Sequence, residues 1–291
     1  MTFTASDIKT LREKTGAGMM DCKKALTESG GEIESAIEWL RKNGINTAQK
    51  KSSRTASDGL VNVMISGNKG VMIEINSETD FVARNENFQT FCDDLSEICL
   101  KNNISSLEEL LKSDYLEGNS NVQEELTNLI AKIGENIIIK RLRFISNQGN
   151  YLQKYLHNSI SSSSGKIGVV LAFNCKSMND EVKEFSKQIC MHIAALDPKS
   201  LDIDSLDEGL IEKERSIYME QLKSSGKPDE ILEKIINGKI NKFYEDVCLL
   251  EQIFVVDTKN KIKKCIEDFN TKNNLYFKIE NYFIYKLGQE E

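Results

Sequence analysis

A chain of 291 residues with 40% hydrophobic and 29% charged residues is long enough to bury a real core and to divide into two or three units. Its net charge of −7 is uneven, +3 over residues 1–54 and −10 over the remainder, and an acidic body of this kind argues against a protein that neutralises nucleic-acid phosphates. No apolar run approaches a membrane span, MTFTASDIK lacks the regions of a signal peptide, and seven cysteines without a CxxC pair suit reduced thiols. A cytoplasmic protein is expected, without membrane or direct nucleic-acid partners.

The first unit reads as helical. Ile8 and Leu11 mark a short helix after Ser6, a candidate N-cap, and Gly16-Ala17-Gly18 breaks it. A second helix runs from about Met19 to Glu28, and Gly30-Gly31 ends it. Ile33, Ala36, Ile37 and Leu40 define a third before Asn43-Gly44, which reads as its stop. Three helices of this size bury little apolar surface alone and suit a docking module. Met19 and Met20 are adjacent on their helix and point in different directions, so so small a bundle cannot readily bury both. Lys50, Lys51 and Arg54 fall in a Ser/Thr-rich stretch that reads as a solvated linker.

Leu60 to Ile65 and Val71 to Ile75 flank Ser66 to Gly70 and predict a β-hairpin. The strand runs out at Asn76-Ser77-Glu78, and Thr79-Asp80-Phe81-Val82 follows. The period then changes, with Phe88, Phe91, Leu95 and Ile98 recurring at helical spacing over about Asn85 to Lys101. Phe81 therefore sits on a strand-to-helix connection, where a large aromatic either folds back on the core or waits for a partner. Ile104 to Leu116 and Val122 to Ile133 read as helices, Ile137 to Ile145 as the start of a second sheet, and Ser161 to Ser164 as a polar hairpin loop.

The hairpin-and-helix pattern returns 98 residues later. Gly70, Val71, Asn76 and Cys92 match Gly168, Val169, Asn174 and Cys190. The expected fold is α+β, a duplicated core of small antiparallel sheets covered by helices. Ser177-Met178-Asn179-Asp180 stands in the register of Thr79 to Val82, so the fold does not itself need an aromatic there. That asymmetry favours a binding role for Phe81. Beyond Pro198, one helix carries Leu210, Ile217 and Leu222, another Ile231, Ile235, Ile240 and Phe243. The turn at Ser224 to Pro228 makes them an antiparallel hairpin. Leu275 to Leu287 reads as a strand closing the second sheet.

Catalytic constellations are weak. Gly165-Lys166, Gly226-Lys227 and Gly238-Lys239 do not complete a phosphate-cradling GxxxxGK[ST] loop. His157 and His192 lack cysteine or acidic partners at metal-ligand spacing, and His192 reads as structural. No nucleophile stands with its base, and no cofactor or metal is expected.

LREKTGAGMMDCKKAL (Leu11 to Leu26) and the later TDFV (Thr79 to Val82) closely resemble bacterial elongation factor Ts. KIGENI (Lys132 to Ile137), MHIAA (Met191 to Ala195), SGKP (Ser225 to Pro228) and KFYEDVCLLEQ (Lys242 to Gln252) extend the resemblance along nearly the whole chain. It implies a module resembling a ubiquitin-associated three-helix domain at 1–54, core halves at 55–145 and 146–291, and a projecting coiled coil at about 207–246. It also implies a guanine-nucleotide exchange factor for elongation factor Tu, without covalent chemistry, and admits a complex with two copies of each protein. Asp80 and Phe81 would intrude beside the Mg²⁺ and switch region of that GTPase, with Phe81 as wedge. Asp80 either pairs with a basic group or caps the following helix, and Thr79 and Val82 hold the turn. Arg12, Met19 and Met20 match docking positions, and His157 either faces the partner or packs. Many members continue into a helical C-terminal segment that touches elongation factor Tu, a contact not expected of a chain ending at Glu291. Ile253 replaces a proline common after LLEQ. The rival reading is a helical adaptor without exchange activity.

Overall fold

The computed structural model describes residues 3–116, 118, 120–147, 151–222 and 228–289. In chain order the first elements are α1 (Ala5–Thr15), α2 (Met19–Glu28), α3 (Ile33–Lys51), β1 (Asp58–Ser66), β2 (Lys69–Ser77), α4 (Asp80–Ala83), α5 (Glu86–Asn102), α6 (Leu107–Lys112) and α7 (Val122–Ile133). There follow β3 (Ile137–Ser146), β4 (Tyr151–His157), β5 (Ser164–Gly165), β6 (Ile167–Asn174), α8 (Asp180–Leu196), α9 (Glu208–Leu222), α10 (Asp229–Val247), α11 (Ile262–Asn273) and β7 (Lys278–Lys286). The result is the expected α+β arrangement of N-terminal helices and small sheets. Two compact units result, one holding residues 1–146, 158–168 and 285–291, the other 147–157 and 169–284.

In the first unit, α1 to α3 close on Leu11, Cys22, Ala25, Leu26 and Ala36. The cap of α1 is Thr4 rather than Ser6. Only Thr4 has an acid three residues on, and Thr4 and Asp7 exchange hydrogen bonds as a capping box. Asn43-Gly44 does not stop α3, which runs on to Lys51. Gly44 is buried against α7, where a Cβ would meet that of Ala131 at 3.4 Å, so this glycine serves close helix approach rather than termination. The stretch read as a solvated linker is fastened as well, the Lys51 ammonium donating to the Gly134 carbonyl at the end of α7, and earlier on α3 Arg41 pairs with Glu124.

A four-stranded antiparallel sheet, ordered β3-β2-β1-β5, carries α5. β3 joins this sheet instead of opening a second one. Its partner β2 is buried at every residue from Gly70 to Ser77, and a strand buried on both faces must have its backbone groups paired along both edges. Ser161 to Ser164 likewise is more than a loop, because Ser164 begins β5 beside Asn62. The fully buried Asn62 amide donates to Asp93 at 2.7 Å and to Ser164 Oγ at 2.9 Å, and its oxygen accepts from Ser96 at 2.6 Å. The serines are there to satisfy a buried side chain. α6 is shorter than expected, starting only at Leu107 after its Ser106 cap.

In the second unit, the three-stranded sheet β4-β6-β7 is closed by the C-terminal strand, as expected. Phe173, Phe185, Phe269 and Phe277 make its aromatic centre, with ring centroids 4.2 Å apart for Phe185 and Phe269 and 4.8 Å apart for Phe173 and Phe277. Helices α9 and α10 touch through Tyr218, whose ring lies under the Lys239 ammonium. Ser224 to Lys227, expected at the turn between these helices, lie outside the described residues. His192 is buried, its Nε2 bonded to Gln252 and its Nδ1 accepting from the Val255 N–H, which is the structural role expected of it.

Glu74 stands fully buried on β2. Arg141 Nε lies 2.7 Å from one of its oxygens, while Asn76 Nδ2 and the Gly288 N–H donate to the other at 3.1 and 2.9 Å. Lys140 Nζ stands farther off, 3.6 Å from that second oxygen, and a buried charge that loses its hydrogen-bonded cation is costly. Arg141→Leu should therefore lower unfolding free energy by about 3 kcal/mol in a urea titration, and adding Glu74→Gln should restore a large part of it.

Candidate partner-binding site

The connection from β2 to α5 carries the site. β2 ends at Ser77, and α4 is one turn, Asp80–Ala83, separated from α5 by Arg84 and Asn85, the Asn85 side chain capping α5 through the Asn87 N–H at 2.9 Å. In the second unit, Asn179 leads directly into the single long helix α8. The extra turn in the first copy has two faces. Val82 and Ala83 lie underneath at 4% and 0% exposure, in the core formed with Phe88 and Leu95. Phe81 stands 79% exposed. Phe81 therefore does not fold back on the core.

Thr79 holds the turn from the other side. Its N–H donates to Glu135 Oε2 at 2.9 Å, its hydroxyl donates to Glu135 Oε1 at 2.7 Å, and its carbonyl accepts from Ser77 Oγ at 3.0 Å. The neighbouring Glu78 returns the bond, accepting from the Asn136 N–H at 2.7 Å. Arg54 completes the clasp, its guanidinium 3.5 Å from Glu78 and its carbonyl accepting from the Asn136 side chain at 2.7 Å. Three segments meet here: the end of the N-terminal module, the turn before Phe81, and the turn before β3. Asp80 neither caps α4 nor meets a base, its carboxylate having no hydrogen-bond or ion-pair partner among the described residues.

Met19 and Met20 are both exposed, at 61% and 74%, on the first turn of α2 in the same unit as Phe81. A shallow cleft is lined by Arg12, Gly16, Met19, Asn85, Asn87 and Lys132. It brings Met19 near Asn85, four residues beyond Phe81. Lys132 donates to Asn87 at 2.8 Å, and its Nζ lies 2.9 Å from where a Cβ of Gly16 would stand. Gly16, with φ +66°, thus ends α1 and leaves passage for the lysine. His157 lies in the other unit, exposed at the end of β4, with Nδ1 3.1 Å from the Tyr155 hydroxyl. It does not pack into the core.

Glu78, Glu135, Asn136 and Arg54 were not singled out in the sequence as site residues. Their signal was present, since Glu78 abuts Thr79, and KIGENI contains Glu135 and Asn136. What joins them is long-range pairing, which spacing does not reveal. Burial pushes Cys99 up to about 12 and raises Cys92 and Cys190 as well, which keeps these three as protonated thiols. Among the described residues no group of three or more His, Cys, Asp or Glu side chains could hold a metal ion, and no helix is long and apolar enough to cross a membrane.

The profile of the family described as Elongation factor TS matches residues 78–289, beginning at Glu78 of the clasp. The chain belongs to the elongation factor Ts family. It is 43% identical over 289 residues to elongation factor Ts of Magnetococcus marinus, a match covering 99% of this chain and 94% of that protein. Elongation factor Ts of Rhodospirillum centenum is 43% identical over 287 residues, covering 99% and 93%. That of Gluconobacter oxydans is 44% identical over 270 residues, covering 93% and 89%. Membership of the elongation factor Ts family makes the chain a translation elongation factor.

The two faces of α4 separate in their stability effects. Val82→Ala should lower unfolding free energy by about 2 kcal/mol, whereas Phe81→Ala should change it by no more than about 0.5 kcal/mol. Thermal melting of both variants checks this, and a collapsed melt for Phe81→Ala would mean that its ring is needed by the fold.

Proposed function

We propose that this chain binds elongation factor Tu in its GDP form and speeds GDP release, with the Thr79 to Val82 turn as the working element. The observation that carries this reading is an exposed phenylalanine on a turn fastened on both sides, in a chain of the elongation factor Ts family. An isolated aromatic held away from its own core suits insertion into another protein.

Exchange of this kind is linkage rather than chemistry. A factor that binds the nucleotide-free GTPase more tightly than the nucleotide-bound form weakens nucleotide binding by the same factor, tenfold for each ~1.4 kcal/mol. It needs no reacting group of its own. In this reading Phe81 wedges beside the Mg²⁺ and phosphate site of elongation factor Tu, and Asp80 offers its unpartnered carboxylate to a basic group there. Val82 and Thr79 keep the turn from yielding under the load. The 1–54 module docks through Arg12, Met19 and Met20, the 55–145 half carries the wedge, and 146–291 completes the core with its helical pair at about 207–246. His157 is a further contact candidate in that second half. Methionine suits docking because its flexible thioether adapts to an irregular surface.

The test is release of a fluorescent GDP analogue from elongation factor Tu, followed by stopped flow. Phe81→Ala should slow release by roughly thirtyfold, the effect of losing about 2 kcal/mol at an interface anchor. A folded Phe81→Ala protein with wild-type exchange would sink the wedge. Met20→Asp should act differently, weakening association with elongation factor Tu at least tenfold while leaving the melting temperature nearly unchanged. Isothermal titration of the complex measures this, and unchanged affinity would remove Met20 from the docking surface.

A further inference from the structure

We infer that Glu135 is the positioning residue of the wedge: its carboxylate sets the Thr79 turn so that Phe81 is presented in one orientation. This rests on the exchange reading above and assigns to a residue 54 positions away in sequence a share in the same function.

Thr79 occupies the N-cap position of α4, with φ −131° and ψ 159°. A threonine there ordinarily turns its oxygen toward the N–H groups of its own helix. Thr79 does not, and α4 has no side-chain cap. Its hydroxyl and its N–H both point to Glu135, at 2.7 and 2.9 Å, one to each carboxylate oxygen. Such a two-point bond to a charged acceptor fixes orientation as well as distance. A single bond would leave the turn free to pivot about it.

The carboxylate is dedicated to this task. Among the described residues Glu135 has no ion pair, and its recorded partners are the two groups of Thr79. Among the described residues it bonds no other group of α7, β3 or the sheet, and it is only half-buried, so it does not serve the core. The adjoining contacts divide the labour, since Asn136 and Glu78 tie the backbones of the two turns together. Glu135 is left to orient the residue two positions before Phe81. The Phe81 ring is exposed and the Asp80 carboxylate has no hydrogen-bond or ion-pair partner among the described residues, so neither side chain supplies a contact that could do so, and the Phe81 carbonyl only accepts from the Arg84 N–H within the turn itself at 3.2 Å.

The test uses the full chain and elongation factor Tu loaded with a fluorescent GDP analogue, with release measured against concentration of the factor. Glu135→Ala should keep the wild-type melting temperature within a few degrees and the half-saturating concentration within about twofold, because docking through the N-terminal module is intact. Its maximal release rate should fall about tenfold, less than for Phe81→Ala. Thr79→Val, which removes the hydroxyl from the opposite side, should move the rate in the same direction. Glu135→Gln, which retains the length and one oxygen, should recover most of it. In the Phe81→Ala background Glu135→Ala should cost nothing further, since a residue acting through Phe81 has nothing left to position.

A wild-type rate for folded Glu135→Ala, an undiminished further loss in the Phe81→Ala background, or a loss matching the unfolded fraction would each overturn the assignment. Failure of the wild-type chain to accelerate GDP release would instead bring down the exchange reading on which it rests. The two failures are distinguished by the wild-type trace.

Discussion

Two carboxylates cross between two turns, and the first unit depends on that exchange. Glu78 leaves the end of β2 to accept from the backbone of Asn136, while Glu135 leaves the turn before β3 to accept from Thr79. Backbone N–H groups at strand ends lack ladder partners, and a carboxylate satisfies them more strongly than a neutral acceptor does. Because the bonds run in both directions, neither turn can shift without breaking contacts of the other. Arg54 adds the end of the N-terminal module, so the helices that carry Met19 and Met20 are tied to the same point as Phe81.

That constraint explains how an exposed aromatic coexists with an ordered turn. Burial usually supplies order, and Phe81 has little of it. Here α4 is held by Val82 and Ala83 below and by Thr79 at its head, leaving the outward face free of structural duty. The second copy of the pattern lacks the extra turn and has Lys176 in the register of Glu78, and its chain enters α8 directly from Asn179. The sheet-and-helix pattern thus occurs twice, while the projecting turn belongs to one copy.

The attachment of the N-terminal helices follows the same logic of short, specific contacts. α3 extends past Asn43-Gly44 because the missing Cβ of Gly44 allows α7 to approach, and Lys51 then finds the carbonyl that ends α7. Lys132 passes over Gly16 in the same way. Gly44 reads as a helix stop in the sequence and is a contact point in the folded chain, whereas Gly16 both ends α1 and makes room for a neighbour. A linear scan cannot tell the two apart, because both uses require only that a side chain be absent.

Local pattern alone determined much of this protein. Period and turn chemistry placed α2, α7, the β1-β2 hairpin and the closing strand β7, and the failure of Thr79 to Val82 to recur in the second copy marked Phe81 as more than packing. Adjacent placement on a helix was enough to set Met19 and Met20 apart. Tertiary structure alone decided where β3 pairs, because a strand's partner depends on which edge is open and not on its own residues. It decided as well that Ser164 answers a buried Asn62 and that Glu135 answers Thr79. Those bonds span 102 and 56 positions. Hydrogen-bonding capacity is written in each residue, but the choice of partner is made by the fold that brings the two groups within 3 Å.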